Sequence, residues 1–417
     1  MKFEYDPDEV PQKVIEVLKR FCLHSSKNGH QKDVGKVFES VPDKLKINIT
    51  ENQPITMILP AFPWKSPNQD KVLADGADLG EEMGLAKLNH LCEDISKIYP
   101  YGARLILICD GPVYNDLVGV PDDEYYDYGI EIRKIAQEKH FSSIQFVRLM
   151  NLLGLGDGEK ISKADYLRLV PTCREKLMSP TYFDPTFDIE HELKTNPDTR
   201  TTYESYFSRI SEDLKWAKGL DPVVAADPSL YTAEVSKMAK TMINRLIVSF
   251  NAMTYLMLWF SWNVWPHGSQ FSQAYEAVIN YTLGKYIRLS IHPSLGLNKI
   301  SIPLLRQGDL FGDMPWHASV VVLSNGEIKT GKSREFRKLY EVVVRHGRPY
   351  YFRERSPMYE WEAEVEFQHD YNGLVVKNPL QRAQMLGRDD RLKLARLIVQ
   401  YLTKSVRVEG FEVLNDA

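Results

Sequence analysis

Apolar residues in the first third of the chain switch between two periods. Positions 8–24 place Val10, Val14, Val17, Leu18 and Phe21 three and four apart, so an amphipathic helix is predicted to open the chain. Positions 55–59 form a short unbroken apolar run. Positions 79–99 return to helical spacing through Met83, Leu85, Leu88, Cys92, Ile95 and Ile98. A second compact run follows at 104–109, a helical stretch at 125–139 and a third strand-like run at 144–150. Strands covered on both faces read as continuous apolar runs, and three of them separated by helices predict a parallel sheet with right-handed crossovers. Ligands of such sheets bind beyond the carboxyl ends of the strands. That points to two polar loops, PAFPWKSPN at 60–68 and CDGPVYNDL at 109–117.

Later segments are less regular. Positions 151–235 include GLGDGEK at 154–160 and SPTYFDP at 179–185, and are expected to be helices with long surface connections. The most apolar stretch, 243–265, is interrupted by Asn244, Arg245, Ser249, Asn251 and Asn263. Its clean part falls short of the roughly 20 residues a bilayer requires, so a buried helix is predicted and no membrane partner. From Lys285 the runs KYIRLSIHP, KISIPLL, WHASVVVL and EIKTG read as strands, the last two separated by a Ser324-Asn325-Gly326 turn. They predict either a second sheet with a hairpin or an extension of the first. A closing helix is expected over 379–403. The fold class is therefore α/β: a parallel sheet flanked by helices, with a β-containing C-terminal extension. The chain divides into an N-terminal helical segment (1–50), the α/β region (51–235) and a region completing the site (236–417), together one catalytic unit.

Composition narrows the function. Of 417 residues, 43% are apolar and 26% charged, which excludes disordered and fibrous classes. Fifty-two basic against 56 acidic side chains leave a net charge of -4 without a long like-charge block, so nucleic acid is not expected as a partner. Cys22, Cys92, Cys109 and Cys173 stand far apart with no CxxC pair, which fits reduced thiols in a cytoplasmic protein. The N-terminus is acidic and carries Pro11 where a secretory signal needs an apolar run of about 7–15 residues.

Gly326-Glu327-Ile328-Lys329-Thr330-Gly331-Lys332-Ser333 matches the literal GxxxxGK[ST] string. It is the basis of an alternative reading as an ATP-dependent enzyme. Glu327 adds negative charge and Ile328 prefers strand, so a hairpin return competes with a phosphate cradle. The glycines at 154–158 lack GxGxxG spacing. His369-Asp370 and His191-Glu192 each lack the second histidine that a facial triad or an HExxH helix supplies, so no catalytic metal is predicted.

What remains is a set of donors suited to a phosphomonoester: Lys65, Ser66 and Asn68 after the first strand, with Arg288, His292 and Lys299 later. Arg288, Ser290 and His292 alternate with Ile287, Leu289 and Ile291, so a strand would show one polar face, directed to a ligand or to solvent. Trp316-His317 opens the run 318–323, which sets the imidazole at a strand start beside a large aromatic surface, a place where histidine is often a core residue. Asp110, at the end of the second strand, either caps its turn or presents a carboxylate to the cleft.

Six strings taken together, PAFPWKSPN (60–68), DLGEEMGLAKLNHLCEDISKIYPYGA (78–103), CDG (109–111), DLVGV (116–120), RLSIHP (288–293) and PWH (315–317), resemble the isocyanide synthases of the pyoverdine/dityrosine biosynthesis family. The resemblance runs over about 55–355, and its most specific part is the first string with the long helix after it. It implies a modified Rossmann-like domain and an enzyme of lyase or transferase type. Such an enzyme would turn the amine of an L-amino acid, tyrosine foremost, into an isonitrile with ribulose 5-phosphate as carbon donor and no cofactor. A relative stopping at an N-formyl amino acid is the alternative within the family, and a tailoring oxygenase is an expected downstream partner. Under this resemblance Lys65, Ser66, Arg288 and Lys299 are expected to hold the sugar phosphate, and His292 and His317 to move protons. Asp110 would steer or deprotonate the amine, while Asn68, Asp116 and Trp316 line the site. Cys109 stands where the family commonly has Ser before Asp-Gly, and Pro112 and Tyr114 also depart from its pattern. These differences bear on pocket shape and so on the choice of amino acid.

Overall fold

A computed structural model describes residues 5–22, 38–109, 111–155, 160–179, 186–262, 286–291, 299–307, 310–311, 314–354, 367–370 and 373–376. The three apolar runs are strands β1 (Ile55–Pro60), β2 (Ala103–Cys109) and β3 (Ile144–Arg148). Two later strands, β4 (Ile287–Ser290) and β5 (Ile300–Ser301), join the same sheet in the order β3-β2-β1-β4-β5, with every pairing parallel. From β1 the chain first builds outward through β2 and β3. It then returns to the other edge of β1 with β4, where Ile58 lies opposite Arg288. Sheet growth reverses between β1 and β4, and crossovers leaving in opposite directions open a crevice at such a point. This topology sets Arg288 against Ile58, 230 positions earlier in the chain, and so beside the loop after β1.

Side chains on β1 alternate between two cores, as the pleat requires. Ile55, Met57 and Leu59 join Leu105 and Leu107 on one face. They pack beneath α1 (Val10–Phe21), α2 (Val41–Thr50) and α3 (Leu79–Ser96), with Tyr128 and Ile132 of α4 (Asp122–Glu138). Ile58 and Ile108 face the opposite core, with residues of α5 (Leu149–Leu152) and α6 (Lys163–Leu177). Each fully buried aliphatic side chain contributes roughly 1.5–3 kcal/mol. Beyond α6, the segment predicted as helices with long connections forms α7 (Ile189–Thr195), α8 (Pro197–Asp213), α9 (Pro222–Ala226) and α10 (Pro228–Trp262). Tyr206 and Ile210 of α8 and Val235, Ala239, Met242 and Ile243 of α10 belong to the second core. The opening helices thus share the first core with the sheet. Among the described residues no helix is long and apolar enough to cross a membrane.

Helix α3 is buried on almost every side and starts with a capping box, in which the Asp78 side chain accepts from Gly80 N at 2.7 Å and Glu81 Oε2 accepts from Asp78 N at 2.8 Å. Its Glu82 faces a second sheet, whose Tyr350 and Arg345 gather on the carboxylate together with Lys139 from the end of α4. After the short pair β6 (Arg306–Gln307) and β7 (Leu310–Phe311), that sheet comprises β8 (Ser319–Val322), β9 (Ile328–Gly331), β10 (Glu341–Arg345) and β11 (Arg348–Arg353) in the order β10-β11-β8-β9. Strands β12 (Phe367–Asp370) and β13 (Gly373–Val376) make a separate hairpin that contains His369 and Asp370. Both late-strand expectations are thus met, since RLS extends the first sheet and SVVV with IKTG pairs in the second.

The GxxxxGKS string is a hairpin return. Ile328–Gly331 pairs with β8, and the amides of Ser333 and Arg334, opening α11 (Ser333–Phe336), donate to the carbonyls of Lys71 and Asp70 at 3.0 Å each. A phosphate cradle needs those amides unspent, so the ATP reading has no structural basis here. The expected closing helix over 379–403 lies outside the described residues.

Gly111 begins the turn after β2, and a Cβ placed there would sit 1.8 Å from the buried Tyr125 ring. Gly111→Ala is therefore expected to destabilise the chain by about 1–3 kcal/mol or more, the cost of overpacking a closed site. A urea titration measures this, and an unchanged midpoint would show that the ring can retreat.

Candidate active site

Above the crevice between β1 and β4 lies a cleft. Pro60, Ala61 and Trp64 form one wall, and Arg288, Leu289, Ser290 and Ile291 the next. Met314, Trp316 and His317 close it from the start of the second sheet, and Lys299 lines it just before β5. Helix α8 covers the opening with Thr202, Ser205, Tyr206, Arg209, Ile210 and Asp213, spaced as one helical face. The lining is mainly apolar, with three cations, Arg209, Arg288 and Lys299, directed at the same space.

The loop after β1 is bent sharply. Buried Phe62 has φ 55°, a left-handed conformation uncommon for a bulky residue. The bend packs the Phe62 ring on Trp316, with centroids 5.2 Å apart. It also needs Gly84 of α3, where a Cβ would lie 3.3 Å from the Phe62 ring and 3.2 Å from Pro315. The two halves of the family-like pattern, PAFPW and the helix carrying Gly84, are thus read together as one packed joint.

Lys65 follows this bend and turns inward. Its ammonium donates to Asp78 Oδ2 at 2.8 Å, Glu81 Oε2 at 2.8 Å and the Pro315 carbonyl at 3.2 Å. An ammonium has three donors, and these acceptors use them all. Burial opposes its charge, but Asp78 and Glu81 outweigh burial and raise its pKa. Burial, opposed by Lys65 and reinforced by Glu81, pushes Asp78 up to about 8. Tyr128 donates to Glu81 Oε1 at 3.1 Å.

A second buried cluster mirrors the first with opposite sign. Asp213, the last residue of α8, accepts from Ser66 Oγ at 3.0 Å on Oδ2 and from Asn68 Nδ2 at 3.0 Å on Oδ1. The Lys71 ammonium lies 2.7 Å from Oδ1, and His317 Nδ1 lies 3.4 Å from Oδ2. Burial disfavours the carboxylate, yet His317 and Lys71 hold its pKa well below the usual range. Burial lowers the pKa of His317 further than Asp213 restores it. The Trp316 carbonyl between these clusters accepts from Ser66 N at 2.9 Å. Pro315, Trp316 and His317 are thus tethered in turn by Lys65, Ser66 and Asp213.

The model of the "Pyoverdine/dityrosine biosynthesis protein" family matches residues 45–343, well over half of the sequence. The chain belongs to this family. It is 33% identical over 376 residues to isocyanide synthase xanB of Aspergillus fumigatus, an alignment covering 87% of this chain and 45% of that protein. The chain thus spans under half the length of that relative. It is 29% identical to an L-tyrosine isonitrile synthase of Xenorhabdus nematophila, over 82% of this chain and 90% of that one. The crystal structure of PvcA from Pseudomonas aeruginosa shares the fold, with a TM-score of 0.64 and 23% identity over 83% of this chain and 100% of that one.

Within this family frame the residues proposed from sequence separate into groups. Arg288, Lys299, Trp316 and His317 line one cleft. Ser66 and Asn68 stand behind it, buried on Asp213. Lys65, expected as a phosphate ligand, donates to Asp78 and Glu81, which the start of α3 brings to it, and is not among the residues lining the cleft. Asp116 is an exposed residue ion-paired to Arg245 at 2.6 Å, outside the cleft lining. Asp110 and His292 lie outside the described residues. Arg209 and Asp213 were missed from sequence, although the spacing of Tyr206, Arg209, Ile210 and Asp213 was visible. Their stretch reads only as helices with long surface connections, because the polar residues around them hide the inward face. Among the described residues no group of three or more His, Cys, Asp or Glu could hold a metal ion.

Lys65→Met should act on folding before it acts on substrate. Removing the ammonium leaves two buried carboxylates facing each other, an expected loss of about 3–5 kcal/mol in urea denaturation. Unaltered stability together with lost saturation by a sugar phosphate would instead return Lys65 to the role of ligand.

Proposed function

We propose that this chain is an isocyanide synthase that converts the amine of an L-amino acid into an isonitrile, with ribulose 5-phosphate as the carbon donor. The observation that carries the reading is the convergence of Arg209, Arg288 and Lys299 on one cleft beside His317, in a family whose relatives are named as isocyanide and isonitrile synthases. Guanidinium and ammonium groups suit a phosphate dianion, the arginine fork through paired N–H donors and the lysine as a point charge. Burial lowers the pKa of Arg288, and in such a setting attraction to an anion is stronger than in water.

With the phosphate anchored, the amino acid nitrogen reaches the sugar ketone as a neighbour, which removes much of the entropic barrier. The nitrogen bonds to the ketone carbon and the carbonyl oxygen leaves as water, giving an imine. Later steps move protons and expel the remaining carbon fragment. His317 serves as a proton carrier at this cleft. Asp110 and His292 keep the roles the resemblance implies, steering the ammonium and transferring protons. Trp64, Tyr114 and Tyr206 in the lining favour an aromatic side chain, tyrosine first.

Incubation with ribulose 5-phosphate and pooled L-amino acids, read by mass spectrometry and infrared absorption, should yield an isonitrile from one amino acid. A formamide would identify the N-formyl branch, and no product from any amino acid would overturn the reading. Arg288→Ala is expected to raise KM for ribulose 5-phosphate about 10- to 100-fold, equivalent to one charge-assisted hydrogen bond of roughly 1.5–3 kcal/mol. Normal saturation by the sugar phosphate in that variant would remove Arg288 from the phosphate site.

A further inference from the structure

We propose that Asp213 is the positioning residue for His317, holding the ring proton on Nδ1 so that Nε2 meets the cleft with its lone pair and acts as a base. The proposal rests on reading the cleft as the catalytic site of an isonitrile synthase, and assigns a role that the family resemblance did not suggest.

His317 Nδ1 is buried and has no partner in full hydrogen-bond geometry, and the acidic atom it faces is Asp213 Oδ2 at 3.4 Å. An ionised carboxylate only accepts, so a ring nitrogen turned toward it is the protonated one. The carboxylate is not free to swing away. Asn68 and Lys71 hold Oδ1 at 3.0 and 2.7 Å, and Ser66 holds Oδ2 at 3.0 Å. These contacts come from the loop after β1, so the orientation of the Asp213 carboxylate is set by the fold itself.

A neutral imidazole has one N–H, so a proton fixed on Nδ1 leaves Nε2 as the acceptor. Burial, together with the positive charges of Arg209 from α8 and Lys71 from the loop before α3, keeps the resting ring neutral, and Asp213 is the counter-charge that faces it. When a substrate N–H bond breaks, its electron pair stays on the substrate nitrogen and its proton bonds to Nε2. The imidazolium so formed presents Nδ1–H to Asp213, which stabilises the new charge without taking the proton. This is the division of labour of the aspartate in a Ser-His-Asp triad, here with the serine absent from the arrangement and the substrate itself as proton donor. Ser66 belongs to the opposite side of the carboxylate, where it orients Asp213.

The test is nitrogen NMR of the full chain labelled in its ten histidines, with the His317 signal assigned by its loss in His317→Gln. The unsubstituted protein at neutral pH is expected to show His317 neutral with the proton on Nδ1. In Asp213→Asn the amide can donate to Nδ1, so the proton should move to Nε2 and kcat should fall about 10²- to 10⁴-fold with KM little changed. A resting proton on Nε2 in the unsubstituted protein overturns the proposal, as does an Asp213→Asn variant that keeps both the tautomer and the turnover. The first measurement needs no substrate and no change at Asp213, only the His317→Gln variant for assignment. It therefore decides the proposal even if Asp213→Asn fails to fold, and an absence of isonitrile formation would count separately against the functional reading.

Discussion

A carboxylate taken out of water must be surrounded by donors, and at Asp213 those donors come from two distant stretches of chain. Ser66, Asn68 and Lys71 belong to the loop after β1, and His317 to the start of the second sheet. Leaving such a group half satisfied costs several kcal/mol, so the helix that ends in Asp213 cannot settle anywhere else. That requirement seats α8 over the crevice and turns a polar surface helix into one wall of the cleft.

The Lys65 cluster applies the same constraint from below with the charges reversed. Asp78 and Glu81 cap α3 and bind Lys65, and Lys65 in turn grips the Pro315 carbonyl. Gly84 removes the side chain that would keep Phe62 and Pro315 from the helix. The three residues from Pro315 to His317 are consequently held from both sides by groups whose own burial is tolerable only while the contacts last. A rigid mount of this kind would serve the proton transfer proposed for His317, since misplacement by an ångström removes much of the advantage of proximity. Arg288 and Lys299 line the cleft, while Lys65 and Lys71 are engaged by buried carboxylates.

The sequence by itself determined the parallel sheet, because three apolar runs at strand length separated by helical periods have few other ways to hide both faces. It also pointed to the cleft's general address, since the loops after β1 and β2 are polar where a buried strand ends, and it named Arg288, Trp316 and His317, which line that cleft. Only the tertiary structure shows Lys65 paired with Asp78 and Glu81, because these acceptors are brought to it by the way α3 docks. Only the tertiary structure decided that β4 lies against β1, which sets Arg288 beside the first loop, and that Arg209 and Asp213 face inward from a helix whose composition resembles a solvated surface. A pattern of apolar positions reports which residues leave water. Where a charged residue points depends on which opposite charge the fold delivers to it, and that is a property of contacts made across the whole chain.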